Sequence, residues 1–343
     1  MLNGNCGAQP FVAADYATNS TYAAGWSAGQ NGGYGFGAWS MDYTGGTSDT
    51  NVSQNAMDRT SPFNPFGVAW TLYNPEGTVP DPGPPVNSPG ACDNPPTGTD
   101  LSRAGRAIPN GGLQPGQTFS TVIANPADRT FYRGYTIVLS SGSDNIQYGY
   151  FGSRLEVGCF EYHSSGRWYQ SGANSANQGY TGTPLFDTDT ATNGMQLDVS
   201  MTGTNSYHLV MTPLGNPGIA FTYDGDLKTA TTNGPINWVT YQLYNTDSDF
   251  YPALAPCGPD PTDFYIKSMT ILGLNLNIQR VGTNVLLSWP SFFTNFVLVS
   301  ATNLSAPVWS PVSPLPSVVN DQNVVTNSIP GAAQQFYRLS FQQ

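Results

Sequence analysis

The chain has 343 residues, of which 10% are charged and 13% are aromatic, and its formal net charge at pH 7 is −11. The scarcity of charged residues removes the best charged helix formers and argues against a helical protein. The acidic balance argues against a nucleic-acid partner, because phosphate binding needs clustered Lys and Arg, and no apolar run is long enough for a membrane-spanning helix. The aromatic content argues against simple disorder, so the composition favours a folded, all-β protein.

Glycine alternates with aromatic residues over residues 1 to about 60. In the stretch from Tyr34 to Trp39 this alternation predicts a strand with Tyr34 and Phe36 on one face and Trp39 on the other. Glycine within a strand marks a bulge or a close approach of another backbone. Residues 74–97 hold many prolines and little apolar content, so we predict a surface insertion there.

A series of strands is predicted from about residue 101 to 272, with Ser-Gly, Asn-Gly and Asp-Gly turn sequences between them. One segment, Leu101–Ile108, instead resembles one or two turns of helix, with Arg103 and Arg106 facing solvent. Regular short strands with such turns indicate a sandwich or a barrel. The predicted strands are 133–139, 154–157 continuing into 159–162, 195–201, 206–211, 236–243 and 264–271.

The sequence changes character at about residue 273, where a second and smaller β unit is predicted. A tryptophan, Trp289, lies on an early strand of this unit, as in small fibronectin- or immunoglobulin-like sandwiches. We therefore predict two domains, 1–272 and 273–343. The strands expected in the second are 285–289, 296–299, 324–326 and 336–339.

Two parts of the chain resemble known families. The sequences Gly25-Trp26, Asn31–Phe36, Gly116–Ser120 and Ser206–Val210 resemble the concanavalin-like jelly roll of lectins, laminin-G domains and glucanases. The last 70 or so residues resemble a C-terminal β-sandwich module of secreted proteins from environmental bacteria. The resemblance implies a jelly-roll β-sandwich followed by a small C-terminal β-sandwich. Because this superfamily contains lectins, adhesion modules, structural proteins and glycosidases, the fold does not fix the function.

The four cysteines are widely spaced and form no CxxC pair, so a zinc ribbon is disfavoured. In a chain poor in lysine they suggest export and up to two disulfides, with free buried thiols as the alternative. We expect Cys92 to pair with Cys257, since both lie in Pro-rich stretches, which leaves Cys6 with Cys159. The start of the chain lacks a signal peptide, so we expect a mature form located outside the cell or on its surface, with cytoplasmic residence as the alternative.

The strongest catalytic candidate is the pair Glu156 and Glu161. Retaining glucanases of the fold that the chain resembles carry Glu-x-Asp-x-x-Glu on one strand, with one glutamate as nucleophile and the other as acid/base. Here Gly158 replaces the central Asp, and without a bulge five residues of separation put the two carboxylates on opposite faces. The alternative is two surface carboxylates on a strand.

Other catalytic and metal sites have weaker support. A Ser-His-Asp triad would need His163 or His208, and neither lies near a Gly-x-Ser-x-Gly turn. Asp187, Asp189 and Asn193 form an oxygen-rich loop suited to calcium, but aspartate is also an ordinary turn residue. A structural calcium is therefore a weak expectation.

Glycan binding uses exposed aromatic rings for the apolar faces of sugars and amides or carboxylates for their hydroxyls. Trp39, Trp238 and Trp289 lie within alternating strands, and we predict them to be core residues. Other aromatic and amide side chains lie beside Gly/Ser/Asn-rich loops, and we predict that they bind a polysaccharide or a cell-surface glycan. They are Trp26, Gln30, Asn31, Trp168, Tyr169 and Asn174.

We thus expect a secreted, non-enzymatic glycan-binding or adhesion protein. The first alternative is a subunit of an extracellular filament or sheath that polymerises through β-strand contacts, with Met1–Tyr16 as a strand donated to a neighbouring copy. The second alternative is a retaining glycoside hydrolase that uses Glu156 and Glu161.

Overall fold

A computed structural model of the protein confirms the prediction of an all-β fold. In the part of the chain that it describes there are 21 β-strands and two single-turn 3₁₀ helices, Ser20–Tyr22 and Pro217–Ile219. No helix in that part is long and apolar enough to cross a membrane. The described residues are 11–44, 54–58, 64–73, 100–108, 111–125, 133–142, 154–160, 168–171, 192–227, 234–245, 264–320, 322–328 and 334–342.

The first four strands are five or six residues long, and most of the central strands are longer. The first fourteen are β1 (Phe11–Tyr16), β2 (Ser40–Thr44), β3 (Gln54–Asp58), β4 (Ala69–Tyr73), β5 (Asp100–Ala107), β6 (Thr118–Ala124), β7 (Arg133–Ser140), β8 (Arg154–Phe160), β9 (Trp168–Ser171), β10 (Met195–Met201), β11 (Ser206–Pro213), β12 (Phe221–Asp226), β13 (Trp238–Asn245) and β14 (Phe264–Leu272). The remaining seven are β15 (Asn277–Val281), β16 (Asn284–Pro290), β17 (Phe296–Ala301), β18 (Ser310–Pro311), β19 (Ser317–Val319), β20 (Gln322–Ser328) and β21 (Phe336–Phe341).

The first fourteen strands form two antiparallel sheets. The eight-stranded sheet has the order β12-β11-β10-β6-β14-β4-β3, with β1 also paired to β14, and the six-stranded sheet has the order β2-β5-β13-β7-β8-β9. One continuous cluster of buried apolar side chains draws on both sheets. The two sheets therefore pack face to face as a sandwich, which leaves each with an inner face toward this core and an outer face away from it.

The alternation within β13 shows how the sequence assigns these faces. Val239, Tyr241 and Leu243 belong to the core cluster, so Trp238 and Thr240, which alternate with them, point to the outer face. The Tyr241 hydroxyl also bonds Thr121 Oγ1 of the opposite sheet at 2.8 Å, which joins the two sheets across the core.

The prediction of a helical turn over Leu101–Ile108 was wrong. These residues belong to strand β5, which lies between β2 and β13. Arg103 and Arg106 do not face solvent, because they are only 5% and 0% exposed. Two residues three apart lie on opposite faces of a strand, so Arg103 occupies the outer face and Arg106 the inner one. Pairing with two neighbouring strands overrides the helix propensity of the local sequence.

Arg106 forms a buried ion pair across the core with Asp15 of β1. The Nη1–Oδ2 distance is 2.5 Å, and both side chains have no exposed surface. The same guanidinium donates through Nε to Gly37 O at 2.8 Å and through Nη2 to Asn31 Oδ1 at 2.6 Å, and it lies 4.6 Å from the ring centroid of Trp39. One arginine thus ties the N-terminal strand and the loop after it to the six-stranded sheet.

That loop does not contain the strand predicted from Tyr34 to Trp39. Only Tyr34 pairs, through an isolated bridge to Ala14, and the rest is turn and irregular backbone. Glycine is needed at Gly33 because a Cβ there would overlap the Ala14 carbonyl oxygen, and at Gly35 because φ is +83°. The predicted close backbone approach is thus present without the strand.

The N-terminal strand has a partner within its own chain. Phe11–Tyr16 pairs with β14 in an antiparallel register from Phe11–Leu272 to Tyr16–Ser268. This part of the segment predicted for donation to a neighbouring copy is therefore already used by the protein's own sheet. Residues 1–10 lie outside the described part.

The strands after residue 276 form two smaller sheets, β15-β16-β20-β19 and β18-β17-β21. They enclose a separate apolar cluster around Leu287, Trp289, Phe293, Leu298 and Val325. Trp289 is 1% exposed, which confirms its assignment to a core. We refer to residues 277–342 as the C-terminal unit.

Candidate functional site

The outer face of the six-stranded sheet consists of mostly polar residue positions in a regular lattice. Strand register places these residues in three parallel rows, of which two cross all six strands and the third crosses four. The first row is Asp42, Arg103, Gln242, Thr136, Gly158 and Tyr169, the second is Ser40, Gly105, Thr240, Val138, Glu156 and Ser171, and the third is Ala107, Trp238, Ser140 and Arg154.

The middle of this lattice is buried although it points away from the core. Gln242, Thr136 and Thr240 are at most 3% exposed, and Thr136 Oγ1 donates to Gln242 Oε1 at 3.1 Å. Thr240 Oγ1 is buried with no hydrogen-bond partner. An unmet hydroxyl of this kind costs on the order of 1–3 kcal/mol.

Trp238 forms an aromatic surface beside this hydroxyl. A Cβ placed on Gly105 would lie 2.6 Å from Trp238 Nε1 and 3.1 Å from Thr240 Oγ1, so the indole lies against the backbone of β5 where glycine leaves room for it. Trp238 is half-buried and shares its row with Ser140. Its prediction as a core residue was therefore wrong, because it lies on the face opposite the core.

Glu156 lies half-buried on the same outer face, between Val138 and the β9 position Ser171. Two positions along, Gly158 has no space for a side chain, because a Cβ there would lie 2.5 Å from Thr136 Cγ2 and would also overlap the Tyr135 carbonyl oxygen. The proposed catalytic partner Glu161 lies outside the described residues.

Several residues predicted to bind glycan lie elsewhere. Trp26 is 4% exposed and packs edge-on against Trp39 with ring centroids 4.9 Å apart, so the prediction that its ring is exposed was wrong. Trp70 and Trp39, 5.1 Å apart, complete this core cluster and are both at most 2% exposed, which confirms the core assignment of Trp39. A loop rich in glycine suggested exposure, yet the loop folds over its own tryptophan.

The amides predicted beside Trp26 have structural partners. Asn31 is an exposed residue, yet both ends of its amide have partners. Its Oδ1 accepts a hydrogen bond from Arg106, and its Nδ2 donates to Phe36 O at 2.9 Å. Gln30 Oε1 accepts from Ser27 N at 2.7 Å and closes a local turn. Both amides hold the N-terminal loop in place.

Trp168 and Tyr169, the second pair of aromatic residues predicted to bind glycan, occupy positions on opposite faces of their strand. On β9, Trp168 is paired with Cys159 at an inner-face position, whereas Tyr169 is paired with Gly158 at an outer-face position. Only Tyr169 therefore joins the lattice described above. The other predicted site residues outside the described part are Asn174, Asp187, Asp189, Cys6, Cys92 and Cys257.

Calcium and disulfides remain predictions. Asn193 is the one residue of the proposed calcium loop within the described part, and it is exposed. Among the described residues no group of three or more His, Cys, Asp or Glu side chains is placed to hold a metal ion.

A Ser-His-Asp row does occur on the outer face of the eight-stranded sheet, at Ser200, His208 and Asp224 on three adjacent strands. His208 Nδ1 lies 2.8 Å from Asp224 Oδ1. The Ser200 hydroxyl instead bonds Thr118 Oγ1 at 2.7 Å. An oxyanion site would also need free backbone N–H groups, and those of these paired antiparallel strands are used in hydrogen bonds between strands. The row therefore lacks the geometry of a nucleophilic triad.

Asp198, on the same outer face, should make stability depend on pH. Burial raises its pKa above the usual range, although hydrogen bonds from Ser120 and Gln196 oppose the rise. The folded protein then binds a proton more readily than the unfolded chain, so this carboxylate destabilises the fold at neutral pH and the penalty fades as pH falls through the raised pKa. We expect Asp198→Asn to raise the melting temperature at neutral pH and to have little effect in acid. An equal effect at both pH values in calorimetry would contradict this.

Solved structures with a similar fold include carbohydrate-active proteins. A glycosyl hydrolase family protein from Mycobacterium fortuitum is 12% identical over 76% of this chain and 99% of its own, with a TM-score of 0.36. A β-1,3-glucanase from Mycobacterium marinum is 10% identical over 77% of this chain and 100% of its own, also at 0.36. The exoplasmic/lumenal domain of VIP36, solved with Ca²⁺ and Man3GlcNAc, is 9% identical over 69% of this chain and 87% of its own, at 0.33.

No family model and no curated protein matches the sequence. At these identities and TM-scores, nothing about the function of this chain follows from the similar structures.

Proposed function

We propose that the protein binds a glycan on the outer face of the six-stranded sheet, as an extracellular binding or adhesion protein. The observation that carries this proposal is the half-buried Trp238 indole, which lies against Gly105 on a face of mostly polar positions. An aromatic ring with a hydrogen-bonding group beside it suits the mixed apolar and hydroxylated surface of a sugar ring. Glu156 and the Tyr169 position extend the same lattice.

Binding is favoured over hydrolysis by the local packing at Gly158. The glucanase pattern places an aspartate between its two glutamates, and the packing around Gly158 leaves no room for that side chain. A second carboxylate at the described lattice positions is Asp42, four strands from Glu156. At about 4.8 Å per strand these two strand positions are about 19 Å apart, whereas glycosidase carboxylates lie about 5–9.5 Å apart.

Removing the indole tests the proposal. In affinity electrophoresis against a panel of soluble neutral polysaccharides, we expect the protein to be retarded by at least one of them. Trp238→Ala should weaken that binding about tenfold, equivalent to about 1.4 kcal/mol. Gly105→Ala should weaken it as well, because the added methyl group displaces the indole.

The matched control is Tyr34→Ala, which removes an aromatic ring that is 53% exposed on the N-terminal loop. It should leave the retardation unchanged. Full retardation of a folded Trp238→Ala variant would refute the site, and a failure of the unsubstituted protein to bind any polysaccharide would refute the function.

A further inference from the structure

His208 joins the sandwich to the C-terminal unit. Its imidazole stacks on Phe292, in the turn between β16 and β17, with ring centroids 4.2 Å apart and planes inclined by only 11°. Phe292 in turn lies 4.5 Å from Phe293, which is 2% exposed in the apolar cluster of the C-terminal unit. A continuous series of rings thus runs from the outer face of the eight-stranded sheet into the core of the second unit.

Asp224 holds the imidazole in the plane that this stacking needs. It lies directly opposite His208 on the neighbouring strand β12, and its Oδ1 is 2.8 Å from His208 Nδ1. The Asp224 side chain is 76% exposed, so solvent screens the charge interaction and the pair by itself adds little stability. The structural effect of the contact is to fix the orientation of the ring.

Two further approaches join the sandwich to the C-terminal unit. Asn295 Nδ2 donates to Thr202 O in the hairpin between β10 and β11 at 3.3 Å. At the start of β6, a Cβ on Gly116 would lie 2.8 Å from Phe296 Cζ and 3.1 Å from Leu274 Cβ. Residues 290–296 contain no ionisable side chain, so this side of the junction is uncharged.

The connection between the units is short. Strand β14 ends at Leu272 and β15 begins at Asn277, and within the connection Leu274 and Leu276 pack against the C-terminal cluster. A short connection that is itself packed leaves the second unit few ways to separate while the stacked pair is intact.

We propose that His208, oriented by Asp224, is a latch that fastens the C-terminal unit to the sandwich, so that the two units open together and not as independent bodies. The latch is separate from the proposed glycan site, because it lies on the other sheet. The proposal therefore stands or falls independently of the proposed function.

Hydrogen exchange of the full chain, followed by mass spectrometry, tests the latch because the two sides are far apart in sequence. We expect Phe292→Ala to speed exchange several-fold in residues 201–206 of the sandwich, and His208→Ala to speed exchange several-fold in residues 291–296 of the C-terminal unit. The double variant should exchange no faster than the more affected single variant, since either change removes the same contact.

Thr212→Ala is the matched control, since Thr212 lies on the same strand and the same outer face as His208, four residues further along β11. It should leave exchange in residues 291–296 unchanged. The latch is refuted if each single variant speeds exchange only on its own side of the junction, or if the effects of the two substitutions add. If Phe292→Ala fails to fold, Phe292→Leu takes its place, because leucine keeps most of the apolar volume and removes the stacked ring.

Discussion

Replacing Arg106 by methionine should lower the free energy of unfolding by about 3–5 kcal/mol, because it leaves Asp15 as a buried charge without its counterion. Asp15 would keep only the bonds from Tyr22 Oη at 2.5 Å and from Tyr16 N at 2.8 Å. The substitution also removes the donors to Asn31 and Gly37 that hold the N-terminal loop. Urea unfolding followed by tryptophan fluorescence measures the loss.

A second variant separates the charge from the volume. Asp15→Leu combined with Arg106→Met removes both charges, so it should be less destabilising than the sum of the two single changes. Arg280→Gln is the control, since Arg280 is exposed and bonds only Gly282 O, and it should change stability by about 0.5 kcal/mol or less. A loss below about 1 kcal/mol for Arg106→Met would show that the ion pair is not a main support of the fold.

The sequence predicted most strands because their alternation is a local property. In 195–201 and 206–211 every second residue is apolar, and all of these residues are buried in the structure. The helical interpretation of Leu101–Ile108 failed for a non-local reason. The segment has no long alternation of its own, and it becomes a strand through pairing with β2 and β13.

Part of the candidate site, the outward-facing residues of β13, could be predicted from the same alternation. Val239, Tyr241 and Leu243 are the apolar members of β13, which leaves Trp238 in phase with Thr240 and Gln242 on the other face. Trp238 is predicted to be a core residue because it lies within an alternating strand, but its phase within that strand assigns it to the outer face. The lattice itself was not predictable, because it depends on the register of six strands that are distant in sequence.

The burial of the N-terminal loop could not be predicted from the sequence either. Glycine-rich surroundings suggested an exposed Trp26, but the loop is closed by Arg106, whose partner Asp15 is 91 residues away in sequence. A local pattern carries no information about such a partner. The same limit applies to Asn31, whose amide was predicted to bind a glycan and instead binds the guanidinium.

Trp26→Ala should destabilise the protein by about 3–5 kcal/mol, the usual cost of removing a buried large aromatic side chain. The ring is 4% exposed and packs against Trp39 and, at 6.1 Å, against Trp70. Thermal and urea unfolding measure the loss, and glycan binding of the folded fraction should persist, because Trp26 lies in the core and not on the proposed binding face.

Trp26→Phe distinguishes ring packing from the indole N–H. Trp26 Nε1 is buried without a hydrogen-bond partner, so phenylalanine keeps most of the ring contacts and removes an unmet donor. We therefore expect Trp26→Phe to be clearly less destabilising than Trp26→Ala. Tyr34→Ala, in the same loop but exposed, should stay within about 0.5 kcal/mol of the unsubstituted protein. If Trp26→Ala kept full stability and abolished glycan binding, the ring would be an exposed sugar-binding surface and the loop would not be closed over it.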